Sequence, residues 1–238
     1  MSGRRAFWRT VRSLRRRLLG IPQPGSVNFG DLRRLEPFGR HFGTDRGDAL
    51  DRWYIEGFLS SQAGAIHGRV LEIGDDRYTR QFGGSRVGEV DILHVDATNP
   101  RATIIADLAD APGIHDEQYD ALIVTQTLHL VYDARAAVRT LHRILRPGGT
   151  LLLTVPGISQ VPVGTTWSGT WYWAFTPLSV QRMLAESFGA DRVTVMPYGN
   201  VLSAAAMLYG LSSADLERQE LDATDPEYPV IIGAIATR

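Results

Sequence analysis

The chain has 238 residues, 44% hydrophobic and 21% charged, which suits a soluble globular protein with one sizeable core. It contains no Cys, so disulfides, thiol nucleophiles and thiolate-bound metals are excluded, an absence compatible with the cytoplasm. All 25 basic residues are Arg, which excludes Schiff-base and phosphate-loop lysine chemistry as well. The net charge of -1 hides an asymmetry: residues 1–40 carry +8 and residues 41–238 carry -9. An acidic body argues against nucleic acid as a partner.

Residues 4–19 read as a basic amphipathic helix, with Phe7, Trp8, Val11, Leu14 and Leu18 at three- and four-residue steps and Arg on the other faces. Such a helix either meets an anionic membrane surface or acidic partner, or packs on its own acidic domain. No apolar run of signal-peptide or membrane-spanning length follows it. The expected location is therefore cytoplasmic, peripheral at a membrane if the helix binds one. Residues 1–30 form this helix and a Pro/Gly linker, and residues 31–238 form the main domain.

Residues 31–64 hold a polar loop, GRHFGTDRGD, and then a helix over 48–59 with Leu50, Trp53, Tyr54 and Phe58 as its buried stripe. His41, Asp45 and Arg46, with Tyr54 behind them, are candidates for a lid that touches an acceptor; the plain alternative is a capping turn.

Four short runs of Val, Ile and Leu come next, within RVLEIGDD, DILHVDATNP, ATIIADLADAP and YDALIVTQTLHLVYD. Each ends in a polar residue, as strands buried on both faces of a parallel sheet do, and ligands bind beyond their carboxyl ends. Asp96 ends the second run 22 residues after Gly74, where an acid accepts hydrogen bonds from the ribose hydroxyls of an adenosine-containing cofactor. Asp107, after the third run, is placed to accept from an adenine amino group.

The order VLEIG, HVD, ADLADAP, YDALIVTQTLHLVYD and LHRILRPGGTLLLTVP resembles the class I S-adenosylmethionine-dependent methyltransferases over residues 66–156. The resemblance implies a doubly wound, Rossmann-like α/β fold. Its sheet would have seven strands, mostly parallel with an antiparallel last strand, and helices on both faces. It also implies S-adenosylmethionine as cofactor, bound by Glu72, Gly74, Asp96 and Asp107, with Thr125 and Gln126 at the end of the fourth strand. The chain departs from the family's E-x-G-x-G-x-G loop, because Asp75, Asp76, Arg77 and Tyr78 stand after Gly74. Charged side chains then take over from backbone: Asp75 or Asp76 would offset the cofactor's positive charge, and Arg77 or Arg80 would pair with its carboxylate.

His129, beyond the fourth strand, is either a general base for a substrate hydroxyl or a core residue with one satisfied nitrogen. Residues 157–175 form a long aperiodic loop in which Trp167, Trp171, Tyr172 and Trp173 would line an acceptor pocket suited to sugar rings. A helix over 176–188 with Thr176 as cap, a strand over 192–196, a helix over 201–211 and a strand over 230–236 complete the chain. A metal site is not expected, since no His has a partner at ligand spacing. The reading is metal-independent O-methylation of a sugar, glycan or other small acceptor. The alternatives are a non-catalytic methyltransferase-like scaffold and a nicotinamide-dependent oxidoreductase, the latter lacking both the second and third glycines and any Lys.

Overall fold

The computed structural model describes residues 7–8, 15–16, 18–164 and 169–238. Most of the basic N-terminal segment and Trp167 lie outside the described residues. The chain divides into two compact units, Met1–Pro37 and Phe38–Arg238. In the first, the described residues near the N-terminus are helical, and Gly30–Leu32 forms one short turn.

The second unit is built in chain order from α1 (Leu50–Ser61), β1 (Gly68–Ile73), β2 (Val87–His94), β3 (Ile104–Ile105) and β4 (Tyr119–Thr125). After these come α2 (Ala134–Ile144), β5 (Leu145–Pro156), α3 (Pro177–Phe188), β6 (Val193–Tyr198), α4 (Val201–Leu208), α5 (Arg218–Asp222) and β7 (Ile231–Thr237). One seven-stranded sheet has the order β3-β2-β1-β4-β5-β7-β6. The first five strands are parallel, and β7 runs antiparallel to both neighbours. The order reverses direction between β1 and β4, which is where a doubly wound sheet opens its crevice.

The strands bury both faces. Leu71, Leu122, Leu151 and Leu153 meet Val138 and Leu141 of α2 and Val180 and Leu184 of α3. Their neighbours Val70, Ile123, Leu152 and Ile231 face the other way, against Ile55, Phe58 and Leu59 of α1 and Ala204 and Met207 of α4. Period-two alternation therefore feeds two helix layers rather than a core and a solvent face.

The helix ends obey local chemistry. Asp133 accepts from the Ala136 N–H at the start of α2, and Thr176 and Ser179 form a reciprocal cap on α3 ahead of Pro177. His142 packs edge-on against Phe188, a structural role.

Three expectations differ from the observed fold. Trp53 is 37% exposed, while Ile55 and Leu59 are buried, because the helix phase places Trp53 opposite the core. The RPGG segment lies inside β5 and not before it: Tyr119 pairs with Leu145 and Ala121 with Thr150, so the intervening residues bulge. Gly148 adopts φ +82° there, and its N–H donates to the Arg238 carbonyl. The short α5, which no hydropathy pattern marks, carries its own Glu217–Glu220 cap.

Among the described residues, no helix is long and apolar enough to cross a membrane.

Candidate functional site

The site is assembled from the segments that leave each strand at the carboxyl edge of the sheet. After β1, Gly74 has φ +85°, and no heavy atom stands within 4 Å of where a Cβ would be, so the backbone is open on that side. Its N–H donates to the Leu93 carbonyl, and its own carbonyl accepts from the Asn99 amide.

The next residues are held by side chains. Glu72 is buried and accepts from the N–H groups of Tyr78 and Thr79 at 3.1 and 2.7 Å. Burial, the largest influence, pushes its carboxyl up to about 7, even though these N–H bonds favour the charged form. Asp75 accepts from the Arg77 N–H, and Asp76, also buried, is paired with both Arg80 and Arg101. Despite burial, these guanidiniums hold the Asp76 carboxyl below its ordinary value. Arg77 pairs with Glu56 of α1 at 2.8 Å and lies over the Tyr78 ring, whose hydroxyl accepts from Arg52. A π-helical turn over Thr79–Gly83 closes this segment, in place of the regular helix of the resemblance.

Three of the expected cofactor residues thus have partners within the protein. Glu72 holds backbone, Asp76 is paired with two Arg, and Arg77 is paired with Glu56, so each of the three already has a role in the loop itself. The physical reason is common to all: a loop without glycines needs side-chain bonds to fix its path.

After β2, Asp96 presents a side chain 56% exposed, accepting from the backbone N–H and hydroxyl of Thr98 and lying 3.2 Å from His94 Nδ1. The bonds from Thr98 hold its carboxyl below the ordinary value. Val95 beside it and Ile105 on the next strand are both exposed apolar residues, a surface that sequence alone did not single out. Asp107 is exposed and accepts from the Ala109 N–H.

At the end of β4, Gln126 takes φ +46°, a left-handed conformation rare outside glycine, and its N–H donates to the Thr154 carbonyl. Backbone strain of this kind collects at functional sites. The half-buried Thr125 precedes it, and its carbonyl accepts from the Thr127 hydroxyl. The chain then turns through Leu128–Leu130, bringing in His129, which is 2% exposed. Its Nδ1 is buried with no hydrogen-bond partner, and burial lowers its pKa to about 4.

The aromatic loop is anchored on the same turn: Tyr172 and Trp173 both donate their N–H to the His129 carbonyl. The Trp171 ring lies 4.2 Å from the His129 ring and stacks within 12° of the Phe42 ring, so these three form a column. Tyr172 and Trp173 point outward and are joined by Tyr132, 72% exposed, at 5.2 and 6.1 Å. Tyr132 is a further residue that no motif singles out, because only the fold brings it beside residues so far along the chain.

The polar loop behaves differently from the expected lid. Arg46 pairs with Asp215 at 2.9 Å, which pins the loop to the segment after α4. Phe42, with φ +55°, is its one member in the aromatic column. His41 and Asp45 are exposed on this loop, and Thr44 donates to the His41 carbonyl. Tyr54 is 4% exposed and packs on Tyr198 in the core.

Residues 71–153, which supply β1, β2, β4 and most of β5, match the family described as "Methyltransferase domain". A solved methyltransferase of Mesorhizobium loti superposes with a TM-score of 0.54 at 18% identity, covering 79% of this chain and 100% of that one. One from Archaeoglobus fulgidus gives 0.53 at 11% identity, over 79% and 94%. The [4+2]-cyclase SpnF gives 0.51 at 15%, over 96% and 93%, so the fold also supports other chemistry. A hybrid PKS-NRPS synthetase of Acremonium sp is 25% identical over 137 residues, which is 44% of this chain but 3% of that far longer protein. Residues 71–153 thus match a methyltransferase domain, and the chain has the fold of the solved S-adenosylmethionine-dependent methyltransferases, whose cofactor is S-adenosylmethionine.

Proposed function

We propose that this protein methylates a hydroxyl oxygen of a sugar, a glycan or another small amphipathic acceptor. The observation that carries this reading is His129: a buried imidazole with an unpartnered Nδ1, at the end of β4 and under the aromatic loop. Leaving such a nitrogen without a partner costs about 1–3 kcal/mol, a cost that a ligand hydroxyl would remove.

The residues present fit the cofactor at its nucleoside end. Asp96 is exposed and ionised, as a receiver of ribose hydroxyls must be, and Val95 and Ile105 offer apolar surface for a flat base near Asp107. When bound, the cofactor supplies an activated methyl group on a sulfonium, so little acid–base help is required. His129 stays neutral near pH 7 and, protonated at Nε2, offers a lone pair at Nδ1. It receives the acceptor's proton as the new bond to oxygen forms, while Trp171 and Phe42 keep water from that nitrogen. Tyr132, Tyr172 and Trp173 supply ring faces and hydroxyls at the rim, which suit an acceptor with one apolar and one polar side.

The test is methyl transfer from labelled S-adenosylmethionine to a panel of glycosides, phenols and amines, read by mass. Transfer to a glycoside hydroxyl that disappears in His129→Leu, with cofactor binding retained, supports the reading; transfer to amines alone overturns it. The ion pairs that fasten the loop after β1 favour one second reading, a non-catalytic scaffold. Calorimetry showing no binding of S-adenosylhomocysteine decides for that one.

A further inference from the structure

The stripe of α1 that faces the sheet contains one residue that does not belong in an apolar stripe. Ile55 and Phe58 are fully buried, and Asp51 lies four and seven residues before them, on the same face. Asp51 Oδ1 is out of reach of water and has no hydrogen-bond partner. A helix N-terminus tolerates an acid in its first turn, yet that accounts for an exposed carboxylate and not for a buried, unpartnered oxygen.

The placement of α1 says where this oxygen lies. Phe58 lies over Gly233 inside β7 and Tyr54 meets Tyr198 at the end of β6, so the start of α1 points to the carboxyl edge of the sheet. The Arg52–Tyr78 bond at 2.7 Å and the Glu56–Arg77 pair at 2.8 Å tie its first turns to the loop after β1. That loop borders the cofactor edge of the sheet, and its buried carboxylates are already engaged, while Asp75 is exposed. Asp75 holds the Arg77 N–H, Asp76 holds two Arg, Glu72 holds two N–H groups and the Gly74 carbonyl holds Asn99. Burial, the largest influence, raises the Asp51 carboxyl, and the neighbouring Arg52 charge acts against it.

We propose that Asp51 is the carboxylate that receives the ammonium at the amino-acid end of the cofactor. The proposal rests on the cofactor assignment and extends it: a side chain from α1, outside the residues that match the family, replaces the acceptors that a glycine-rich loop would provide. An ammonium has three N–H donors and needs a fixed acceptor shielded from water, and Oδ1 is such an acceptor.

The experiment compares two ligands by calorimetry on the full chain and on Asp51→Asn. S-adenosylhomocysteine carries the ammonium; 5′-methylthioadenosine has the same nucleoside and lacks the amino-acid end. Asp51→Asn is expected to weaken the first roughly 10-fold, as loss of a charge-assisted hydrogen bond does, and to leave the second unchanged. Asp51 also faces the Arg52 charge in the first turn of α1, and a general loss of stability there would weaken both ligands alike. Equal weakening of both ligands, or of neither, overturns the role of Asp51 while the cofactor assignment stands. Failure of the parent chain to bind either ligand overturns the assignment and the proposal with it.

Discussion

Replacing His129 by Leu separates what this residue does for the fold from what it does for the reaction. Leu has a similar volume and no polar atom, so the change removes the unpartnered Nδ1, a relief of about 1–3 kcal/mol. It also removes the ring contact with Trp171, a loss of about 0.5–1.5 kcal/mol. Near pH 7 the variant is therefore as stable as the parent or slightly more stable. The pH dependence is the sharper signal. Burial lowers the imidazole from 6.5 to about 4, so between these values the unfolded chain binds a proton that the folded chain refuses. The parent loses this contribution as pH falls from 6.5 towards 4, and the variant does not. From pH 7 to pH 5 the stability of the variant relative to the parent should grow by about 2 kcal/mol. Urea unfolding of both chains at pH 7, 6 and 5 measures this directly. A difference that stays constant across the series would refute the buried neutral imidazole, and with it the proposed role of Nδ1.

Asp96→Ala should weaken S-adenosylhomocysteine binding roughly 10-fold or more in calorimetry and leave the melting temperature nearly unchanged, because this carboxylate is more than half exposed. Asp76→Asn should do the reverse. Its carboxylate is buried against two exposed Arg, so about 1–2 kcal/mol of stability is lost in urea unfolding, and a silent change would show the ion pairs to be incidental. Trp171→Ala should expose His129 to acylation by diethyl pyrocarbonate, read by mass, at a cost of about 1–3 kcal/mol for a half-buried ring. No gain in labelling would mean that Trp171 does not cover the imidazole.

The strands were legible because burial on both faces leaves an unmistakable apolar run, and the acids that end them mark the cofactor edge without any knowledge of packing. Asp96 is exposed at the end of β2, where that pattern put it. What could not be read was which charged residues are engaged with one another. Arg80 is four residues from Asp76 but Arg101 arrives from beyond β2, and nothing local distinguishes a carboxylate held by two guanidiniums from one waiting for a ligand. The same holds for Tyr132, whose neighbours Tyr172 and Trp173 arrive from beyond β5. Helix phase was the other source of error. Trp53 and Tyr54 are adjacent, and only the observed rotation of α1 puts one outside and the other in the core.

That rotation also changes how the missing glycines are to be understood. A glycine-rich loop brings backbone close to a ligand and needs no neighbours. Here the loop is built from side-chain bonds that reach α1 through Arg52 and Glu56, so its shape depends on a helix outside the matched residues. The cofactor edge and the start of α1 then form one mechanical unit. Changes in the first turns of α1 should affect the amino-acid end of the cofactor, whereas the nucleoside end, set by β2 and β3, should be indifferent to them. On the proposed assignment the nucleoside end keeps the family's form and side chains hold the other end, so substitutions at one end should leave the other unaffected.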